Sequence, residues 1–318
     1  MLNRRRLLVG TTFSAAALAA PSILRAQDRT VKMGALRLVH SMPPYFYERF
    51  LPAGTKLEVI VFDSPTDGKN AVITKSVDFG TFGIAAGILG AAVGEPVVVV
   101  GAMSNKGMGV IAKAGSDIRS VKDLKGKKVG IWPGSTQEVF ILERLKMEGL
   151  SVKDISSVRV PFGEMPAMLA RGDIDAYVGA EPGPGLSIST GAGQLVEYPY
   201  GTAMGGLNMI FATHADTAAK NPDLVLAMLK TQRKAVEFMT QNTPAVVDMS
   251  VQKLGANRAA VDQALGARNV EYVWKLDDKV QGQARTYAQH MLDLKQIRAL
   301  PDFGKFLDPK FSNEIAAS

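Results

Sequence analysis

The sequence predicts an α/β protein of two lobes, each a mostly parallel sheet flanked by helices, with two crossings of the chain between them. Three observations carry this. Short apolar runs alternate with stretches of helical periodicity, the rhythm of a sheet covered by helices. A second α/β unit begins after 109–115, and after 206–213 the chain becomes mostly helical, which places the two crossings near these segments. Of the 318 residues, 292 follow a distinct N-terminal segment, which is more than one small domain needs.

That segment is residues 1–26. Arg4, Arg5 and Arg6 precede a weakly apolar, Ala-rich run, and Ala26 offers a small-residue cleavage point after Arg25. The pattern is that of an export signal, similar to the twin-arginine type, with an ordinary secretory signal as the other reading. The run is too short and too rich in alanine to span a bilayer.

Lobe 1 is expected from 27–110 and 208–318. It opens with a strand at "VKMGAL" (31–36) and a helix start at "PPYFYERF". A strand at 56–62 runs through Asp63-Ser64-Pro65 into a helix over "TDGKNAVITK". A strand at 77–83 leads into a helix over 84–92 and a buried strand at 96–103. The stretch 84–103 is apolar enough to suggest a membrane span, but Glu95-Pro96 divides it into pieces too short to cross.

Lobe 2 is expected from 111–207. After the first crossing, "SVKDLKGKKVGI" (120–131) reads as a helical turn capped by Ser120, a Gly break and a strand. A helix over 136–148 then places Phe140, Ile141 and Leu145 on one face. "SSVRVPF", "IDAYVGA" and "GQLVEYP" read as strands. "EMPAMLARGD" reads as a short helix with Pro166 in its first turn, where proline is tolerated. The second crossing returns the chain to three helices, at 221–242, "NRAAVDQALGAR" and "DDKVQGQARTYAQHMLDLKQI".

Composition excludes several functions. Four arginines belong to the N-terminal segment, so the rest carries 33 basic against 30 acidic residues, and no basic tract with interleaved aromatics remains. Nucleic acid is therefore not an expected partner. There is no cysteine, hence no disulfide, thiol nucleophile or Cys metal site. His40, His214 and His290 lie far apart with no paired spacing, so no metal and no cofactor are expected.

Several segments together carry a family resemblance. "SDIRSVKDLKGKKVGIWPGSTQEVFILERLKMEGL" (116–150) resembles the second-lobe entry of ABC-transporter substrate-binding proteins of the nitrate/sulfonate/taurine type, a group that includes binders of pyrimidine thiamine precursors. "MPAMLARGDIDAYVGAEP" (165–182), "VITKSVDFGTFG" (72–83) and "THADTAAKNPDLVLAMLK" (213–230) look like further segments of that family in the same order. The resemblance implies a class II periplasmic-binding-protein fold. It also implies a periplasmic monomer that delivers a small-molecule ligand to an ABC permease in the inner membrane, without membrane insertion of its own. "EPGPGLS" departs from the aromatic that many sulfonate binders carry after Glu-Pro, which weakens the link to one substrate.

Candidate contacts follow from the rule that ligands of open α/β sheets sit at the carboxyl ends of strands, before helix N-termini. This selects His40 and Ser41, Ser64 and Pro65, and Thr81 and Phe82 in lobe 1. It selects Trp132, Ser135, Thr136 and Glu181 in lobe 2. Each has a structural alternative: Ser41, Ser64 and Ser135 as helix caps, Phe82 and Trp132 as packing, Glu181 as a local charge pair. Ser135-x-x-Glu138 also matches a capping box, and no lysine follows Gly134 as a nucleotide loop requires. No nucleophile–base pair can be placed, and no G-x-S-x-G elbow occurs, so no catalytic residue is expected. Hydroxyls and helix ends suit an oxyanion, and Phe82, Trp132 and Tyr45 suggest an organic body on it. A sulfonate or taurine-like ligand is the first expectation, with an aromatic carboxylate or a pyrimidine as alternatives. A periplasmic sensor role and an exported enzyme are the competing functions.

Overall fold

The computed structural model describes residues 29–317. The expected export signal at 1–26 lies outside the described residues. Among the described residues, eleven strands form two sheets. The first holds β1 (Arg29–Leu36), β2 (Thr55–Phe62), β3 (Phe79–Gly83), β4 (Val97–Lys106), β10 (Leu207–His214) and β11 (Val270–Tyr272). Its order is β11-β4-β10-β3-β1-β2. The second holds β5 (Met108–Lys113), β6 (Lys128–Ile131), β7 (Ser156–Arg159), β8 (Ala176–Ala180) and β9 (Gly193–Glu197), in the order β7-β6-β8-β5-β9. The helices that matter below are α1 (Pro65–Ile73), α2 (Ile84–Ala92), α3 (Thr136–Met147), α4 (Met165–Arg171) and α5 (Gly183–Ser189). They continue with α6 (Ala215–Lys220), α7 (Pro222–Gln241), α8 (Thr243–Leu254), α9 (Arg258–Gly266) and α10 (Asp278–Asp293).

The α/β architecture of two sheets flanked by helices is as the sequence predicts, and most strands of each sheet run in one direction, with β10 and β11 reversed in the first and β5 in the second. β1 pairs parallel with β2 and β3, while β10 runs antiparallel to both β3 and β4. β6 pairs parallel with β7 and β8, while β5 runs antiparallel to β8 and β9. β5 and β10 enter their sheets from the other lobe without a crossover helix, and both run against the βα strands. The chain changes sheets at Gly107, between β4 and β5, so residues 108–110, expected in lobe 1, hydrogen-bond within the second sheet.

Helix signals in the sequence translate locally. Ser64 caps α1 with Pro65 at its first position, and Ser135 caps α3. In α7, Pro222 stands at the start, and Val225, Met228, Leu229, Ala235, Val236 and Met239 form the buried stripe. "PPYFYERF" forms a 3-10 helix over Pro43–Arg49 instead of a full α-helix start. Its two leading prolines supply no N–H to the first turn. α8 and the three-residue β11 were not expected. Among the described residues no helix is long and apolar enough to cross a membrane.

The two lobes share packing. Phe140 on α3 sets its ring edge-on against Tyr287 of α10, with centroids 5.4 Å apart. Glu138 of α3 accepts a hydrogen bond from Gln296, at 3.0 Å, and Glu143 stands 2.8 Å from His290. α9 packs along α5 so closely that a Cβ on Gly185 would lie 2.2 Å from the Ala260 carbonyl oxygen. A cleft between the sheets is thus bounded by helices on both sides.

Candidate functional site

Five parallel strands end at this cleft. Arg37 follows β1, Asp63 and Ser64 follow β2, Trp132 follows β6, Arg159 ends β7, and Ala180 ends β8. They line one cavity of ≈ 810 Å³, closed on a third side by the α8–α9 turn at Leu254, Gly255 and Asn257. This is the place where open α/β sheets hold ligands, because the strand ends deliver loops and helix N-termini to one crevice.

Lobe 1 contributes charge in pairs. Arg37 donates from Nε to Asp63 at 3.0 Å, with both side chains more than half exposed. Ser64 accepts from the Asp67 backbone N–H at 3.1 Å and donates to the Asp67 carboxylate at 2.7 Å. Lobe 2 contributes an aromatic wall. The Arg159 guanidinium lies 4.9 Å from the centre of the Trp132 ring, and that ring meets Phe162 at 6.5 Å. Arg37 and Arg159 were not among the sequence candidates. The signal that could have found them was the strand-end rule applied to charged residues as well as hydroxyls.

Of the expected contacts, Ser64 and Trp132 line the cavity. Pro65 is buried at the start of α1, where its missing N–H leaves no bond unmade. Ser41 is buried and accepts from the Leu36 backbone N–H at 3.0 Å, bracing the end of β1 instead of capping a helix. Phe82 does not wall the cleft. It is fully buried, and its ring covers Gly68 and Gly80 in the lobe 1 core, because its position in β3 turns it toward α1. Ser135 is buried, accepting from Glu138 N–H at 3.1 Å and donating to the Trp132 carbonyl at 2.6 Å. The capping box is shifted by one residue: the Glu138 carboxylate accepts from Gly134 N–H at 2.8 Å, not from Ser135. Gly134 has φ +75°, a conformation open to glycine, and this turns its N–H toward the helix.

Thr81 and Thr136 are buried, and neither hydroxyl has a hydrogen-bond partner. Thr136 faces Gly83 across the lobes; a Cβ there would stand 2.4 Å from its Oγ1. These two hydroxyls lie outside the cavity lining.

His40 and Glu181 belong to the hinge. His40 packs on Gly107, where the chain changes sheets, and burial pushes its imidazole down to about 3, so it stays neutral. Glu181 follows β8. Its N–H donates to the Gly107 carbonyl at 2.9 Å and its carbonyl accepts from Val39 N–H at 3.1 Å. One carboxylate oxygen accepts from Gly185 N–H at 2.9 Å, the other from the Asn269 side chain at 2.8 Å. Asn269 accepts in turn from Tyr200 at 2.7 Å, and Tyr200 accepts from Met108 N–H at 2.9 Å. Burial raises the Glu181 carboxyl to about 7, against the lowering effect of these two donors. Each carboxylate oxygen thus has one donor within the hinge.

The model of the NMT1/THI5-like family matches residues 47–245, well over half of the chain. The chain belongs to this family. It is similar to an aliphatic sulfonates-binding protein of Escherichia coli (strain K12), with 25% identity over 231 residues, which is 72% of this chain and 70% of the relative. Among solved structures it is similar to the alkanesulfonate-binding protein SsuA from Xanthomonas axonopodis pv. citri bound to MOPS. That match has 20% identity and a TM-score of 0.78, covering 89% of this chain and 99% of SsuA. The same fold occurs in the desulfurization enzyme DSZB, with 16% identity and a TM-score of 0.69, covering 91% of this chain and 99% of the enzyme. The fold alone therefore does not separate binding from catalysis.

Proposed function

We propose that this NMT1/THI5-like chain is the solute-capturing component of an ABC importer, exported to the periplasm, where it binds a small organic oxyanion between its lobes. On this reading residues 1–26 are a cleaved export signal of the twin-arginine type. The mature protein works as a monomer that hands its ligand to a permease in the inner membrane. Lobe 1 is then the part built from both ends of the mature chain, and lobe 2 its middle.

The observation that carries the reading is the interlobe cavity of ≈ 810 Å³, with an arginine from each lobe at a strand end. Closing two lobes on a ligand couples binding to a change of shape that a permease can recognise. Ser64 and Trp132 are proposed as ligand contacts. Thr81 and Thr136 are proposed as deeper ones, because a buried hydroxyl without a partner costs on the order of 1–3 kcal/mol that a ligand oxygen would recover. Catalysis has no support from the acid–base groups. His40 is neutral and packed on the hinge, and Glu181 is bonded through both carboxylate oxygens.

A thermal-shift screen of sulfonates, carboxylates, nitrate and neutral pyrimidines tests the proposal. A ligand at 100-fold its Kd stabilises by about 2.7 kcal/mol and is recovered unchanged. If only neutral heterocycles raise the melting temperature, or if the ligand is turned over, the proposal is wrong.

A further inference from the structure

The cleft also restricts which oxyanion fits, given that it binds one at all. Three observations bear on this. A cavity of ≈ 810 Å³ is of the size that encloses a ring-containing organic molecule and leaves an inorganic anion or a two-carbon sulfonate loosely held. Its lobe 2 wall is apolar: Trp132, Phe162, Pro166, Pro182 and Leu186 line it, with the Trp132 and Phe162 rings tilted 48° to each other. Among the charges on the lining, Arg37 is engaged by Asp63, while the Arg159 guanidinium makes no hydrogen bond or ion pair with the described residues and rests on the Trp132 ring. Asp67 is held by Ser64, and Glu164 is exposed at the rim.

From these we infer that the ligand is a planar aromatic monoacid, its ring against the Trp132–Phe162 wall and its carboxylate or sulfonate on Arg159. The stacked guanidinium is already oriented, so little side-chain freedom is lost when it meets an oxyanion in a two-pronged pair. Only one cation on the lining is uncommitted, against acidic groups at Asp63, Asp67 and Glu164. A second negative charge on the ligand would therefore lack a partner and meet repulsion. Arg159 is thus the specificity-determining residue for the acid, and Trp132 for the ring.

Calorimetric titration of the full mature chain with 2-naphthoate, 2-naphthalenesulfonate, phthalate, taurine and nitrate tests this. The two naphthalene monoacids are expected to bind at least tenfold tighter than taurine, nitrate or phthalate. Arg159→Gln is expected to weaken the naphthalene acids at least tenfold. Arg159→Lys, which keeps the charge but loses the planar stack, is expected to restore only part of the loss. Arg159 is exposed, so an unchanged melting temperature shows that these variants remain folded. Taurine or nitrate binding tightest, or an Arg159→Gln variant with wild-type affinity, overturns this inference while leaving an oxyanion-binding protein. If none of the five acids binds and a neutral pyrimidine does, both readings fall.

Discussion

The hinge and the cleft are built from the same elements, and they treat their polar groups in opposite ways. At the hinge, Glu181, Asn269, Tyr200 and Met108 close a buried hydrogen-bonded network, beside the neutral His40, whose Nδ1 has no partner. At the cleft, two strand ends away, Arg37 and Arg159 stay exposed, and Arg159 has only an aromatic face beneath it. A satisfied network fixes one geometry; an unsatisfied charge waits for a partner from outside. The contrast separates hinge residues from cleft-lining residues even though both sets follow the same strand-end rule.

The largest test breaks the hinge. Gly107 has φ +80°, and a Cβ there would lie 2.6 Å from His40 Nδ1. A left-handed φ and overpacking together predict a loss of about 3 kcal/mol for Gly107→Ala in denaturant unfolding, with m unchanged. No loss would mean that His40 yields easily and that the hinge is not tightly packed.

The second test uses pH. Folded Glu181 keeps its proton up to about 7, whereas the unfolded chain releases it near 4.5, so its contribution to stability is present below 4.5 and lost as pH rises to 7. His40 has the opposite sign. The unfolded chain takes a proton near 6.5 and the folded one only near 3, so its contribution is full above 6.5 and lost as pH falls. Between 4.5 and 6.5 the folded and unfolded states then hold equal numbers of protons at these two sites, and they cancel. Glu181→Gln should unmask the His40 slope, with stability falling by about 2–3 kcal/mol from pH 6.5 to 4.5 relative to wild type. His40→Asn should unmask the reverse slope. Two flat profiles would mean that neither group is as buried in solution as the fold requires.

Smaller effects belong to the cleft. Ser64→Ala removes the α1 cap and should cost about 1 kcal/mol, measured by thermal unfolding without ligand. Arg37→Gln breaks an exposed pair and should cost less than about 1 kcal/mol, with the difference vanishing at high salt. A larger loss at Arg37 would blur the line drawn between the two regions.

Local signals were legible where one residue type decides the outcome. Ser64-Pro65 and Ser135 start helices because a hydroxyl satisfies first-turn N–H groups and a proline needs none. The helix over 84–92 is where apolar periodicity puts it. Phe82 and Glu181 were less legible. A ring or carboxylate after a strand can face cleft, core or hinge, and one residue of rotation along β3 or β8 decides which. Arg159 was hidden for the opposite reason, since a strand-end arginine looks like ordinary surface until Trp132 is placed beside it.

The sequence by itself determined the α/β alternation, the two-lobe plan, the helix caps and the loops that gather at the strand ends, because these depend on periodicity and on neighbours within a few residues. Tertiary structure alone decided that Glu181 and His40 lock the hinge while Arg159 and Trp132 face the cleft. Those roles depend on partners far along the chain: Asn269 for Glu181, Gly107 for His40, and for Arg159 the Trp132 ring just after the neighbouring strand. Burial and contact at such separations are set only when the sheets pack.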